Sequence, residues 1–217
     1  MIAFVFPGQG SQKRGMGQGL FDEVPEYSVV EREVDAILGY SMRRLCLEDP
    51  DNRLKETQYT QPSLYVVNAL HYYKAVREGA SPSYVAGHSL GEYDALLAAG
   101  VFDFLTGLRL VQKRGALMSE ARNGGMGAVI GLKPDAIAAV LSQNGLPGID
   151  IANFNTPSQT VVSGPVDDIQ RAGPFFEKAG AQMYVPLQVS AAFHSRYMAE
   201  AAKAFADFLA PLSFAAP

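Results

Sequence analysis

Tyr84-Val85-Ala86-Gly87-His88-Ser89-Leu90-Gly91-Glu92-Tyr93-Asp94-Ala95-Leu96-Leu97 is the stretch on which the reading of this 217-residue chain turns. Residues 84–86 have the character of a short strand, and residues 92–97 suit a helix. Between them stands Gly87-His88-Ser89-Leu90-Gly91, a G-x-S-x-G. A serine on a tight strand-to-helix turn needs small residues two positions to either side, so that strand and helix can approach. Such a turn lifts the Ser89 hydroxyl off the backbone. It also sets the Leu90 N–H at the positive end of a helix, where it can stabilise a developing oxyanion. Ser89 is therefore a candidate nucleophile and Leu90 a candidate oxyanion donor; the competing reading is a glycine-rich turn holding an ordinary serine.

Upstream, residues 2–6 read as a buried strand that stops at Pro7-Gly8, and five glycines crowd the loop from Gly8 to Gly19. The spacing of Val30, Val34, Ile37 and Leu38 predicts a helix over 25–38, with Pro25 in its first turn and Gly39 as its stop. A second helix is expected over 60–78, capped by Thr60, and another over 106–121. Strand, turn and helix in alternation imply an α/β core. Downstream, residues 126–188 have a different rhythm. Strands are expected at 127–130, 149–152, 159–162 and 183–187, a turn at 155–158, and helices from Pro134 and over 166–179. The order β-α-β-β-α-β is that of a ferredoxin-like unit, here inserted into a core made of residues 1–125 and 189–217. A last helix is expected from about Ser195 to Leu209.

A serine needs a base, and only His71, His88 and His194 are available. His71 falls within a helix beside Leu70. His88 adjoins Ser89, and neighbours on a sharp turn point apart. His194 lies in the small-residue loop Ser190-Ala191-Ala192-Phe193-His194-Ser195 at a strand-to-helix junction, where the catalytic residues of α/β cores collect; it is the expected base. Gln9, between Gly8 and Gly10, offers a second oxyanion N–H or is simply part of a polar loop, and its surroundings do not separate the two. Arg114, one position off the apolar face of its helix and followed by Gly115, is either a clamp for a substrate carboxylate or a solvated helix charge. The local pattern favours the latter.

Composition narrows the class. A hydrophobic fraction of 48% against 18% charged residues is enough to bury a large core, which argues against disorder. The net charge, 18 − 22 = −4, gives no reason to expect nucleic acid. One cysteine, Cys46, makes no internal disulfide, so a reducing, cytoplasmic setting is expected. One Cys and three His are too few for a Cys/His zinc cluster, and no metal site is expected. No apolar run approaches the roughly 20 residues that span a bilayer, and neither a membrane nor a targeting segment is expected.

Taken together, Phe6-Pro7-Gly8-Gln9-Gly10-Ser11-Gln12, Gly87-His88-Ser89-Leu90-Gly91-Glu92, Lys113-Arg114-Gly115, Asn153-Phe154-Asn155-Thr156-Pro157 and Ala192-Phe193-His194-Ser195 resemble malonyl-CoA:acyl-carrier-protein transacylases and the acyltransferase domains of polyketide synthases. The order and spacing match over essentially the whole chain. The loop Ser190–Ser195 is most similar to free-standing acyltransferases that serve polyketide synthases in trans. The resemblance implies an α/β-hydrolase-like core with the ferredoxin-like subdomain, Ser89 as nucleophile, His194 as base and the Gln9 and Leu90 amides as oxyanion hole. It makes Arg114 the clamp for the malonyl carboxylate and gives Phe193 a part in choosing the extender unit, where its ring would crowd an α-methyl group. Malonyl-CoA and an acyl carrier protein are the implied partners, with no cofactor beyond the thioester. Members of the family continue past the position of Pro217, so the C-terminal part of the family fold is expected to be missing, together with the carbonyl that orients the histidine.

Three other readings are open to the sequence. An acyl hydrolase that edits carrier proteins would have no use for the Arg114 cation. A carboxylesterase would need a triad acid, and Asp150, Asp167 and Asp168 all map to the inserted subdomain. An inactive truncated docking module would need a basic patch such as Arg43, Arg44, Arg53 and Lys55.

Overall fold

The computed structural model describes residues 1–217. In chain order its elements are β1 (Ala3–Phe6), α1 (Leu20–Glu23), α2 (Pro25–Ser28), α3 (Glu31–Leu38), α4 (Met42–Glu48), α5 (Thr57–Arg77), β2 (Tyr84–Gly87), α6 (Gly91–Ala98) and α7 (Phe104–Glu120). There follow β3 (Gly124–Ile130), α8 (Pro134–Gln143), β4 (Asp150–Thr156), β5 (Gln159–Pro165), α9 (Val166–Lys178), β6 (Met183–Leu187), a 3-10 turn (Arg196–Met198) and α10 (Ala199–Leu209). They form two compact units, residues 1–116 with 210–217, and residues 117–209.

The first unit is built round α5. Thr57 and every residue from Thr60 to Leu70 are buried, so this part of the helix is covered on all sides, as expected of a core helix. Leu64, Leu70, Phe21, Val34, Leu90 and Leu108 share its cluster. β1 and β2 pair in parallel, with Phe6 opposite Gly87. Both strands therefore end at the same edge, and the loops that leave them, Pro7–Gln9 and His88–Leu90, start side by side. This is the end of a parallel sheet at which α/β proteins place their sites.

The second unit holds a four-stranded sheet in the order β4-β5-β3-β6, all three pairings antiparallel. With α8 and α9 as its two connections, this is the ferredoxin-like arrangement. Side chains alternate across the sheet. Val129 and Val162 join Ile137, Ile169 and Phe176 on the helical face. Met126, Ala128 and Val161 face the other way and pack with Met118, Ala191 and Phe193. That second cluster draws the unit's boundaries outward from the expected 126–188. Ala191, Ala192 and Phe193 are buried, and a Cβ on Gly124 would collide with the backbone nitrogen of Ala192. Residues 117–125 and 189–209 thus belong with the sheet.

Several local expectations differ from the structure. The helix over 25–38 is two, α2 and α3, because the chain opens at Val29 and Val30. α5 begins three residues before Thr60, with Glu56 at its N-cap. Thr60 is internal and buried, its hydroxyl donating to Leu54 O at 2.6 Å. β3 starts at Gly124, and β4 runs on through Asn155 and Thr156, leaving a tighter turn at Pro157-Ser158.

Candidate active site

Ser89 has φ 50°, in the left-handed region that ordinary side chains rarely enter. Such strain persists only where the surroundings over-determine it, and here the surroundings are backbone. A Cβ on Gly87 would strike the carbonyl group of Gly91 and the nitrogen of Glu92; one on Gly91 would strike the carbonyl oxygen of Phe6. Strand, turn and helix thus meet with room for hydrogen atoms alone. His88 N–H donates to Phe6 O at 3.0 Å, and Gly91 N–H closes the turn onto His88 O at 3.0 Å. Leu90, wholly buried, is the N-cap of α6, so its amide stands at the positive end of that helix.

The loop after β1 is pressed onto this turn. A Cβ on Gly8 would strike His88 O. Gln9, the next residue, therefore leaves from the same place as the nucleophile turn. Its side-chain amide donates to Thr57 Oγ1 at 3.2 Å. Ser11 folds the loop back, its hydroxyl donating to Gly8 O at 2.7 Å.

Arg114 is half-buried on α7. It donates from Nη1 to Gln61 Oε1 at 2.7 Å and from Nη2 to Ser89 Oγ at 3.1 Å. Its guanidinium also lies 5.7 Å from the centre of the Tyr93 ring. Burial makes its proton less tightly held than usual, an effect opposed by Tyr93 and by the charge of Glu92. Gly115 makes the approach possible: a Cβ there would sit 3.2 Å from Thr57 O and 3.3 Å from Gln58 Cα. The local sequence pattern favoured a solvated charge for Arg114; the structure instead places it on the Ser89 hydroxyl. Thr57, Gln61 and Tyr93 were not read from the sequence. Thr57 and Gln61, four apart on the α5 face that Gly115 meets, carried the only signal for the first two.

His194 lies in the second unit. It is exposed, with φ 56°. The residues on either side of it are held firmly: Phe193 is 5% exposed, and Ser195 Oγ donates to Ala192 O at 2.5 Å. Arg196 binds the Asp150 carboxylate through its backbone N–H at 2.9 Å and through its guanidinium. Tyr197 Oη donates to Gly148 O at 3.1 Å. Asp150, weighed above as a triad acid, is thus occupied in holding the segment that follows His194. His71 lies at the surface of α5, where partial desolvation by its neighbours, and then Lys74, lower its proton affinity. No group of three or more His, Cys, Asp or Glu side chains is placed to hold a metal ion. No helix is long and apolar enough to cross a membrane.

The acyl transferase domain family matches residues 3–216. PksC of Bacillus subtilis, a polyketide biosynthesis malonyl CoA-acyl carrier protein transacylase, is 55% identical over all of this chain and 75% of its own length. The malonyl CoA-acyl carrier protein transacylase of Escherichia coli K12 is 42% identical over all of this chain and 72% of its own. In longer polyketide biosynthesis proteins the match is a part of the whole: ThaF of Burkholderia thailandensis is 55% identical over 19% of its length. Among solved structures, the malonyl CoA-acyl carrier protein transacylase of Burkholderia pseudomallei superposes with a TM-score of 0.94 at 50% identity, covering all of this chain and 74% of that one. A malonyl-transacylase in complex with its type II polyketide synthase acyl-carrier protein gives 0.92 at 37% identity, with 100% and 72% covered. The chain belongs to the acyl transferase domain family, among its malonyl-CoA:acyl carrier protein transacylases.

Proposed function

We propose that this chain moves a malonyl group from malonyl-CoA to the phosphopantetheine thiol of an acyl carrier protein, with Ser89 as the covalent carrier and His194 as general base. The supply is to polyketide or fatty-acid synthesis, as in the relatives. One observation supports the reading above others: Ser89 is held in a left-handed strand-to-helix turn with the Arg114 guanidinium 3.1 Å from its hydroxyl. A nucleophile and a carboxylate receptor in one site suit a substrate that carries a thioester and a free carboxylate.

In the first half-reaction the Ser89 hydroxyl attacks the thioester carbonyl and His194 takes its proton. The carbonyl π electrons move to oxygen, and the Gln9 and Leu90 amides hold that charge. When the carbonyl re-forms, the carbon–sulfur bond breaks and the thiolate of CoA leaves with the proton from His194. A malonyl-serine ester remains. In the second half-reaction the carrier thiol loses its proton to His194 and attacks the ester, and Ser89 recovers the proton as it leaves. Atoms and charges balance with the CoA thioester and the carrier thiol alone, so the chemistry needs no cofactor. Phe193, buried against the sheet of the second unit, is assigned to the wall that disfavours an α-methyl branch. The lone buried cysteine suits a cytoplasmic setting.

Arg114 supplies the selectivity. Gln61 and Ser89, which accept its hydrogen bonds, are neutral, and the charge of Glu92 acts on it without a hydrogen bond; a substrate carboxylate would add a directly bonded opposite charge. A hydrogen bond between charged groups contributes about 1.5–3 kcal/mol. Arg114→Ala should therefore lower the preference for malonyl-CoA over acetyl-CoA by about ten- to a hundredfold in a competition assay. An equal fall for both donors would remove the clamp from the reading.

A further inference from the structure

The nucleophile turn and the Gln9 loop share a buried polar bridge that the chemistry above does not use. Asp94 lies on α6, 1% exposed, and Asn68 on α5, 6% exposed. The Asn68 side-chain amide donates to Asp94 Oδ2 at 2.9 Å and also to Pro7 O at 3.2 Å. Asp94 Oδ1 is buried with no hydrogen-bond partner. A carboxyl group left half-satisfied in a core costs stability that an apolar residue would not. What the arrangement provides is geometry. One amide ties three segments together: the core helix, the helix that starts at the nucleophile, and the loop that carries Gln9. The loop has no slack at this point, because a Cβ on Gly91 would lie 2.9 Å from Pro7 O. Burial raises the Asp94 pKa well above the usual carboxylate value, against the pull of the Asn68 bond. The carboxyl thus stays neutral over a wider range than an exposed one, and the bridge adds less charge to the interior.

We propose that Asn68 and Asp94 are positioning residues for the oxyanion site, fixing Pro7–Gln9 over the first turn of α6 so that the Gln9 amide stays aligned with the Leu90 amide. The proposal rests on the reading that these two amides hold the oxyanion.

The test is an exchange of the pair. In the double variant Asn68→Asp with Asp94→Asn, the new amide at 94 donates to the new carboxylate at 68, so α5 and α6 stay bonded. With the carboxyl at 68 ionised, nothing is left to donate to Pro7 O; a protonated one could still donate, so the rates are compared along a pH series and the loss is expected at its alkaline end. Three results are expected beside a Tm near that of the unaltered chain. The acylation rate at saturating malonyl-CoA falls about tenfold, part of the roughly hundred- to thousandfold that loss of a whole oxyanion donor costs. The half-saturating concentration changes little. Amide hydrogen exchange quickens across residues 7–12. Asp94→Asn alone keeps the acceptor for Asn68 and should acylate at close to the unaltered rate. Should the double variant not fold, Asn68→Ala removes both bonds and predicts the same split between rate and half-saturation. Acylation at the unaltered rate, with unchanged exchange over residues 7–12, would overturn the proposal. If the unaltered chain itself forms no adduct dependent on Ser89, the oxyanion reading is what fails. Hydrogen exchange in the double variant then decides separately whether the bridge holds the loop.

Discussion

Ser89 and His194 both stand in left-handed backbone, at φ 50° and 56°, yet the two units hold them by different means. Round Ser89 the support is main chain against main chain. Gly8, Gly87 and Gly91 each bring two backbones to a separation at which no Cβ fits. Round His194 one such approach lies two residues upstream, Gly124 against the Ala192 backbone, and the rest of the support is side chain to main chain and side chain to side chain: Ser195 on Ala192, Arg196 on Asp150, Tyr197 on Gly148. Arg196 is exposed and Asp150 is about one-fifth exposed at its side chain. The difference teaches where each half is vulnerable. A site made from backbone contacts breaks at its glycines. A site held by side chains near the surface loosens by degrees.

The largest effect should come from Gly91→Ala. The new methyl would meet the Phe6 carbonyl, which is fixed by its bond from His88 N–H, so strand and helix must part. We expect either failure to fold or an acylation rate down by more than about a thousandfold, beyond the loss of one oxyanion donor. Thermal melting followed by circular dichroism, beside stopped-flow acylation, distinguishes the two. A variant that melts and acylates like the parent would break the backbone half of the comparison.

His194→Ala should lower acylation by about a hundred- to ten-thousandfold, the range of general-base catalysis, while melting stays close to the parent, since an exposed side chain is removed. A rate within threefold of the parent would show that the base lies elsewhere.

The smallest effect belongs to Asp150→Asn. Hydrogen bonds from Arg196, the largest influence, hold the Asp150 carboxyl below the usual carboxylate range. A group whose pKa is lowered on folding adds stability above its unfolded value, near pH 4, and loses that contribution as pH falls through the folded value. The variant should therefore melt slightly lower than the parent at neutral pH, and the gap should close on acidification below about pH 4. Exposed ion pairs contribute little, so acylation should change by less than about threefold. A gap that widens on acidification would refute the anchoring role of this pair.

How much of this was legible in the sequence follows from the same contrast. Backbone crowding demands glycine at fixed spacing, and glycine at fixed spacing can be read. Gly87 and Gly91 gave the turn, and Gly8 and Gly10 marked the loop pressed against it. The strand and helix order of the second unit was legible too, because apolar alternation and helical periodicity survive in each element. Elements whose form depends on tertiary packing were read less well. Residues 42–48 are a helix capped by Ser41, whose side chain accepts from Arg44 N–H at 3.3 Å, but a seven-residue helix with two arginines carries little periodicity. Gly124 and Gly125 fall outside the strand expected at 127–130. They are strand, because the missing Cβ at 124 makes room for the Ala191-Ala192 backbone. Arg114 shows the limit most plainly. Its sequence surroundings suit a solvated charge; Gln61 and Ser89, 53 and 25 residues away, give it a site. Asp150 was disfavoured as a triad acid because it maps to the inserted subdomain, but the role it has instead was not legible, since its partner Arg196 is 46 residues distant.

The most direct measurement is the intact mass of the 217-residue chain after mixing with malonyl-CoA, beside Ser89→Ala, followed by addition of an acyl carrier protein with its phosphopantetheine thiol. A single malonyl adduct on the parent, absent from Ser89→Ala and discharged to the carrier faster than to water, is the predicted result. A folded parent that takes no malonyl group, or an adduct that persists in Ser89→Ala, would contradict Ser89 as the covalent carrier.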